Sequence, residues 1–167
     1  MIPARKKLPL IGITLGDPKG IGPEVVKKAL ASREVRRICR PILFGDPEWM
    51  DWQKARRLTD RQCGELAYFY ITQALQAALQ KKIAAIVTAP ISKANLNKAG
   101  HHYPGHTELL AEKTKSKRPV MMMAGPSLKV SLVTIHEPFA KVTSLLHPQN
   151  IFETIEITDR SLKKSFG

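Results

Sequence analysis

The sequence predicts an α/β fold, a mainly parallel sheet flanked by helices, and three observations carry that prediction. Two apolar runs, residues 8–15 (LPLIGITL) and 83–87 (IAAIV), lack the polar alternation of a half-solvated strand and suit strands buried on both faces. The first leads through a Gly- and Pro-bearing loop into a helical pattern, and the second runs into Pro90 and a turn-rich stretch. In chain order the pattern reads strand, helix, strand, helix, strand, the succession that builds parallel sheets. With 167 residues and 43% hydrophobic content the chain buries one ordinary core, so residues 1–167 read as a single α/β lobe.

Residues 8–15 are the first strand. The loop Gly16-Asp17-Pro18-Lys19-Gly20-Ile21-Gly22 then enters a helix whose first turn suits Pro23, which lacks only an N–H that would be unpaired, and Glu24, whose carboxylate meets the positive helix end. Val25, Val26, Ala29 and Leu30 supply the apolar face of that helix. The spacing of Gly16, Gly20 and Gly22 is not the dinucleotide-binding GxGxxG, nor does a Walker lysine follow. Residues 41–44 are a second short strand, and residues 64–80 an amphipathic helix using Leu66, Ala67, Tyr70, Ala74, Leu75 and Ala78.

The strand at 83–87 runs into Thr88, Ala89 and Pro90, where the missing N–H stops the ladder. A polar, turn-rich stretch with Ser92, Lys93, Gly100, Pro104 and Gly105 follows, and a new helix starts from Thr107. Residues 119–124 and 129–135 are two more strands joined by Gly125-Pro126-Ser127, with Met121, Met122 and Met123 read as adaptable core. Residues 148–166 form a closing helix.

The most chemical stretch is Gly105-His106-Thr107-Glu108, at the carboxyl side of the third strand, where parallel sheets place ligands. A helix start offers free N–H groups, and an anion bound there would also meet the His106 imidazole and the Thr107 hydroxyl. From these four residues alone, a phosphate or carboxylate pocket and a plain N-cap with a surface histidine are equally good readings. His136 follows the last predicted strand; a histidine in that place, taken by itself, reads as a satisfied structural residue.

Lys and Arg number 27 against 14 Asp and Glu, a net charge of +13, which raises nucleic acid as a partner. The basic residues are scattered, no aromatics interleave with them to stack bases, and no zinc-finger spacing is present, so nucleic-acid binding is disfavoured. A small phosphorylated substrate or an anionic cofactor suits such a surface. Cys39 and Cys63 are isolated and read as free thiols. No apolar stretch is long enough for a signal peptide or a membrane span, so the expectation is a cytoplasmic protein without a membrane partner.

The blocks GITLGDPKGIGPEVV, TAPISK, PGHTELLAE, VMMM and LKVSLVTIH, with the spacing of His106 from His136, closely resemble the 4-hydroxythreonine-4-phosphate dehydrogenase family of vitamin B6 synthesis. That family is a branch of the isocitrate and isopropylmalate dehydrogenase-like fold. The resemblance implies NAD-dependent, divalent-metal-dependent oxidation of 4-phosphooxy-L-threonine with decarboxylation, the ion being zinc, magnesium or cobalt, in a cytoplasmic homodimer. Carried onto this sequence, it implies that His106 and Thr107 contact substrate and that His136 is one of three metal ligands. Asp17 and Lys93 would belong to the active-site loops, and no residue is assigned to NAD. The family is longer between Asp46 and Gly64, and has an aliphatic residue, Pro and Leu where Glu137-Pro138-Phe139 stand. Its other two metal-binding histidines lie in a part that follows the region matched here; His101, His102 and His147 do not sit in the corresponding motifs. The chain thus reads as the N-terminal part of a longer dehydrogenase, an incomplete fold with the second lobe absent. The alternatives are a non-catalytic remnant or partner-dependent half, a relative acting on another hydroxy acid, and a basic binding module.

Overall fold

A computed structural model describes residues 8–165. The basic stretch 1–7 and Phe166, the last residue of the predicted closing helix, lie outside the described residues. Where the sequence alone reads one lobe, contacts group the chain into two compact units, Met1–Glu112 and Lys113–Gly167.

The first unit contains β1 (Leu10–Thr14), α1 (Gly22–Ala31), α2 (Arg33–Ile38), β2 (Arg40–Phe44), a 3-10 turn (Pro47–Met50), α3 (Trp52–Ala55), α4 (Asp60–Leu79), β3 (Ala85–Thr88), α5 (Lys93–Lys98) and α6 (His106–Lys113). Its sheet has the order β2-β1-β3 and both pairings are parallel, with Gly12 opposite Ile42 and Ile86. The parallel sheet flanked by helices is therefore the fold that the sequence predicts. β1 is central, and its last three residues are buried. Ile13, Leu15, Val26, Tyr70 and Ala89 form the core, with Leu30, Leu43, Phe44 and Leu66 packed against it.

The expectation that residues 83–87 are buried on both faces is corrected by the structure. Ile83 is buried, but the strand begins at Ala85 and Val87 is 52% exposed. β3 is an edge of a three-stranded sheet, so only β1 is enclosed by strands on both sides. Val25, expected on the inner face of α1, is exposed as well, and Val26 alone of the pair is buried.

α4 starts earlier than its apolar periodicity does. Thr59 accepts from the Gln62 N–H at 3.2 Å while the Gln62 side chain accepts from the Thr59 N–H at 2.8 Å, a capping box that fixes the helix start at Asp60. Its inner face uses Cys63, Ala67, Tyr70, Ile71, Ala74 and Leu75. The Tyr70 hydroxyl donates to Asp46 Oδ2 at 2.8 Å, and burial pushes its pKa well above the usual tyrosine value. Burial likewise raises the Cys63 thiol to about 11, keeping it protonated, and both cysteines are free.

The second unit has an antiparallel hairpin, β4 (Met121–Ala124) with β5 (Lys129–Leu132), closed by the Gly125 N–H donating to the Leu128 carbonyl at 2.8 Å. α7 (Phe139–Leu145) and α8 (Pro148–Ser165) follow. Arg118 ties the hairpin's approach to α8 through Asn150 and Glu153, and the Thr158 hydroxyl donates to Ser131 Oγ at 2.9 Å. Of the three methionines expected in the core, Met121 and Met122 are half-buried and Met123 is 63% exposed. No helix among the described residues is long and apolar enough to cross a membrane.

Candidate functional site

The carboxyl ends of β1 and β3 open into two loops that lean on one another. Gly16 adopts φ +75°, and a Cβ there would overlap the Pro90 carbonyl, so glycine alone permits the approach. The next residue closes it: the Asp17 N–H donates to the Pro90 carbonyl at 3.0 Å. Asp17 is 4% exposed, and both of its carboxylate oxygens are occupied. Oδ1 accepts from the Lys19 N–H at 2.8 Å and Oδ2 from the Asn95 side-chain amide at 2.7 Å.

Asn95 belongs to α5, a helix inside the stretch that the sequence reads as turns. Its signal is Ser92, whose hydroxyl accepts from the Asn95 N–H at 3.2 Å as an N-cap, and its anchor is the fully buried Leu96. Gly64 of α4 lets α5 dock, since a Cβ there would overlap the Asn95 carbonyl. The far end of α5 is held by Lys98, whose ammonium meets Asp60 Oδ2 at 2.6 Å while Lys19 takes Oδ1 at 2.7 Å. Hydrogen bonds from Lys19 and then Lys98 hold the Asp60 carboxyl down at about 2. Lys93, expected in an active-site loop, is the first residue of α5 and is exposed.

His106 is the first residue of α6, one position before the predicted start. Its Nε2 is enclosed without a hydrogen-bond partner. Burial holds its pKa below the ordinary histidine value, opposed in part by the backbone of Ala89, the residue after β3. Such an imidazole is neutral at pH 7. The Thr14 hydroxyl, at the carboxyl end of β1, is also buried without a partner. Unpaired buried polar atoms are uncommon; Trp49 Nε1 is the third among the described residues. Thr107 stands half-buried in the first helical turn with Glu108 beside it.

Asp17 and His106 thus both lean on the segment after β3, Asp17 on Pro90 and His106 on the backbone of Ala89, while among the described residues no hydrogen bond joins Lys93 to either. His101 takes a different part: its Nε2 lies 3.1 Å from Glu65 Oε2 and its ring stacks on Tyr68 with centroids 3.6 Å apart, tying the loop to α4. Asn95 and Asp60 are the members of this arrangement that the sequence reading did not single out.

His136 lies in the second unit. β5 ends at Leu132, short of the predicted residue 135, and His136 is an exposed residue at φ +57°, a left-handed backbone that non-glycine residues rarely adopt. The divalent ion implied by the resemblance needs about three protein ligands. Among the described residues no group of three or more His, Cys, Asp or Glu side chains could hold one. The described donors do not by themselves fit a metal.

Comparison with known proteins gives a consistent picture. The family model described as pyridoxal phosphate biosynthetic protein PdxA matches residues 28–167. A 4-hydroxythreonine-4-phosphate dehydrogenase of Geobacter metallireducens is 38% identical over 196 residues, covering 95% of this chain and 58% of its own length. That alignment is longer than the whole chain of 167 residues, so the relative carries internal residues that are missing here. A D-threonate 4-phosphate dehydrogenase of Cupriavidus necator is 32% identical, covering 95% of this chain and 59% of its own length. The crystal structure of a 4-hydroxythreonine-4-phosphate dehydrogenase from Burkholderia phymatum superimposes with a TM-score of 0.84 at 33% identity, over 95% of this chain and 59% of that one. The chain spans about 58% of the length of the curated relatives it matches. By the family model and by these identities, the chain belongs to the PdxA family of pyridoxal phosphate biosynthetic proteins.

Proposed function

We propose that this chain is the N-terminal lobe of an NAD- and divalent-metal-dependent dehydrogenase that oxidises 4-phosphooxy-L-threonine and releases its carboxyl group as carbon dioxide. The observation that carries the reading is the enclosed, unpartnered His106 Nε2 at the start of α6, where the parallel strands end. Relatives named 4-hydroxythreonine-4-phosphate dehydrogenase supply the substrate.

In this reading the anionic substrate is drawn by the excess of basic residues and settles at the first turn of α6, where backbone N–H groups are free. His106, kept neutral by burial, offers one hydrogen bond without a charge, and the Thr107 hydroxyl offers a second. The two fix the orientation of the secondary alcohol. NAD, when bound, would accept the hydride as the alcohol gives up its proton and becomes a ketone, and the carboxylate beta to that ketone would leave as carbon dioxide with a proton taken up in its place. Lys93, exposed at the start of α5, would in this reading balance charge or take the proton. His136 would be one ligand of an ion completed by donors outside this chain, in a homodimer.

The test is NADH formation from 4-phosphooxy-L-threonine with a divalent ion, on this chain and on any longer form that its gene encodes. Turnover that falls at least about tenfold in His106→Ala supports the reading; a folded longer form without turnover overturns the substrate. Relatives named D-threonate 4-phosphate dehydrogenase favour a second reading, in which another phosphorylated hydroxy acid is oxidised. Parallel assays with D-threonate 4-phosphate separate the two. The incomplete metal donor set favours a third, a partner-dependent or non-catalytic half, which turnover and tight metal binding by residues 1–167 alone would refute.

A further inference from the structure

Resting on the reading that His106 meets the substrate, we infer that Asp17 and Asn95 are a pair of positioning residues whose hydrogen bond holds the 89–95 loop, and through it the His106 ring, in place. At 4% exposure, with Oδ1 accepting from the Lys19 N–H and Oδ2 from the Asn95 amide, the Asp17 carboxylate is engaged with the protein on both oxygens. Its connections run toward the histidine. The Asp17 N–H holds the Pro90 carbonyl at 3.0 Å, and the backbone of Ala89, one residue earlier, faces the imidazole.

The two segments are joined twice, at Asp17–Asn95 and again where Lys19 and Lys98 share Asp60. These five side chains fix α5 on the first loop at both of its ends. An active-site group displaced by about 1 Å costs up to about a hundredfold in rate, which is the size of effect such a clamp can exert from outside the reacting atoms.

The bond needs one donor and one acceptor, and this makes it testable by reversal. Asn95→Asp sets two acceptors face to face and breaks it. Adding Asp17→Asn restores it with the donor on the other side, while the carboxylate has left position 17. His106 is read directly from its imidazole signals by NMR, and turnover from kcat and KM. Asn95→Asp is expected to displace the His106 signals, move its titration toward the ordinary histidine value, and lower kcat about tenfold to a hundredfold with a smaller change in KM. The double variant is expected to recover both the signals and kcat to within about threefold. Asn95→Ala, neutral and short, repeats the loss if the carboxylate at 95 prevents folding, with melting curves confirming the fold.

The inference is overturned if the His106 signals stay in place in Asn95→Asp and Asn95→Ala, or if the double variant is as displaced as the single one. Recovery of the signals without recovery of kcat overturns it too, since the carboxylate at 17 would then be taking part in the reaction. If the parent shows no turnover while the signals are lost and recovered as expected, the clamp stands and the reading of the reaction is what fails.

Discussion

At the scale of single residues, the site is governed by which polar groups have partners. Asp17 is buried with a hydrogen bond on each oxygen, whereas half-buried His106 and buried Thr14 each enclose a polar atom without a partner. The two cases differ in cost. A paired buried carboxylate holds loops together, and an unpaired buried nitrogen is retained at the expense of stability, which is the ordinary mark of a group waiting for a ligand. The burial of His106 also fixes a pH dependence. Its folded pKa lies below the unfolded value of about 6.5, so between the two the unfolded chain binds more protons. The stability it contributes is complete above about pH 6.5 and is lost as the pH falls through the folded value, at a slope of at most about 1.4 kcal/mol per pH unit. Melting temperatures of the parent should therefore drop more steeply below about pH 6.5 than those of His106→Gln. Parallel curves for the two would mean that His106 is not held neutral by the fold.

At the scale of elements, α5 decides the geometry and the sequence hid it. The strands β1 and β2 are legible as short apolar runs, and the helix α4 from its apolar periodicity. α5 has only Leu96 fully buried and is six residues long, so no period could be read; it exists because Ser92 caps it and because Gly64 lets it lie against α4. The Ser92 cap is local, but the docking glycine Gly64 depends on what stands across the contact, which a single chain of letters does not display. The same holds for β3, whose composition reads as central while its place at the sheet edge leaves Val87 exposed. The GHTE stretch was legible as a helix start, but the neighbour of His106, Ala89, comes from another loop. Gly64→Ala measures the contact that matters most for α5. Its methyl group would meet the Asn95 carbonyl, so α5 must shift, at a cost of roughly 1–3 kcal/mol in denaturant unfolding. The His106 signals should move with it, since Asn95 is carried by the shifted helix. A Gly64→Ala variant as stable as the parent would show that α5 rides loosely on α4.

At the scale of the whole molecule, the question is which donors complete the chemistry. The chain matches about 58% of the length of its curated relatives. Its one histidine implicated in metal binding, His136, stands exposed in a left-handed turn with no cluster of further donors among the described residues. One imidazole holds a divalent ion far more weakly than a three- or four-ligand site, whose structural zinc examples reach about 10–16 kcal/mol. Calorimetric titration of the 167-residue chain with zinc, magnesium and cobalt should thus show only weak binding, with little further loss in His136→Ala. A longer form that supplies the missing donors should bind at a stoichiometry of about one ion per subunit and lose that binding in His136→Ala. Tight, stoichiometric binding by the short chain, abolished by His136→Ala, would mean that the donors are assembled by pairing two copies of this chain, and would move the completion of the site from further sequence to the dimer.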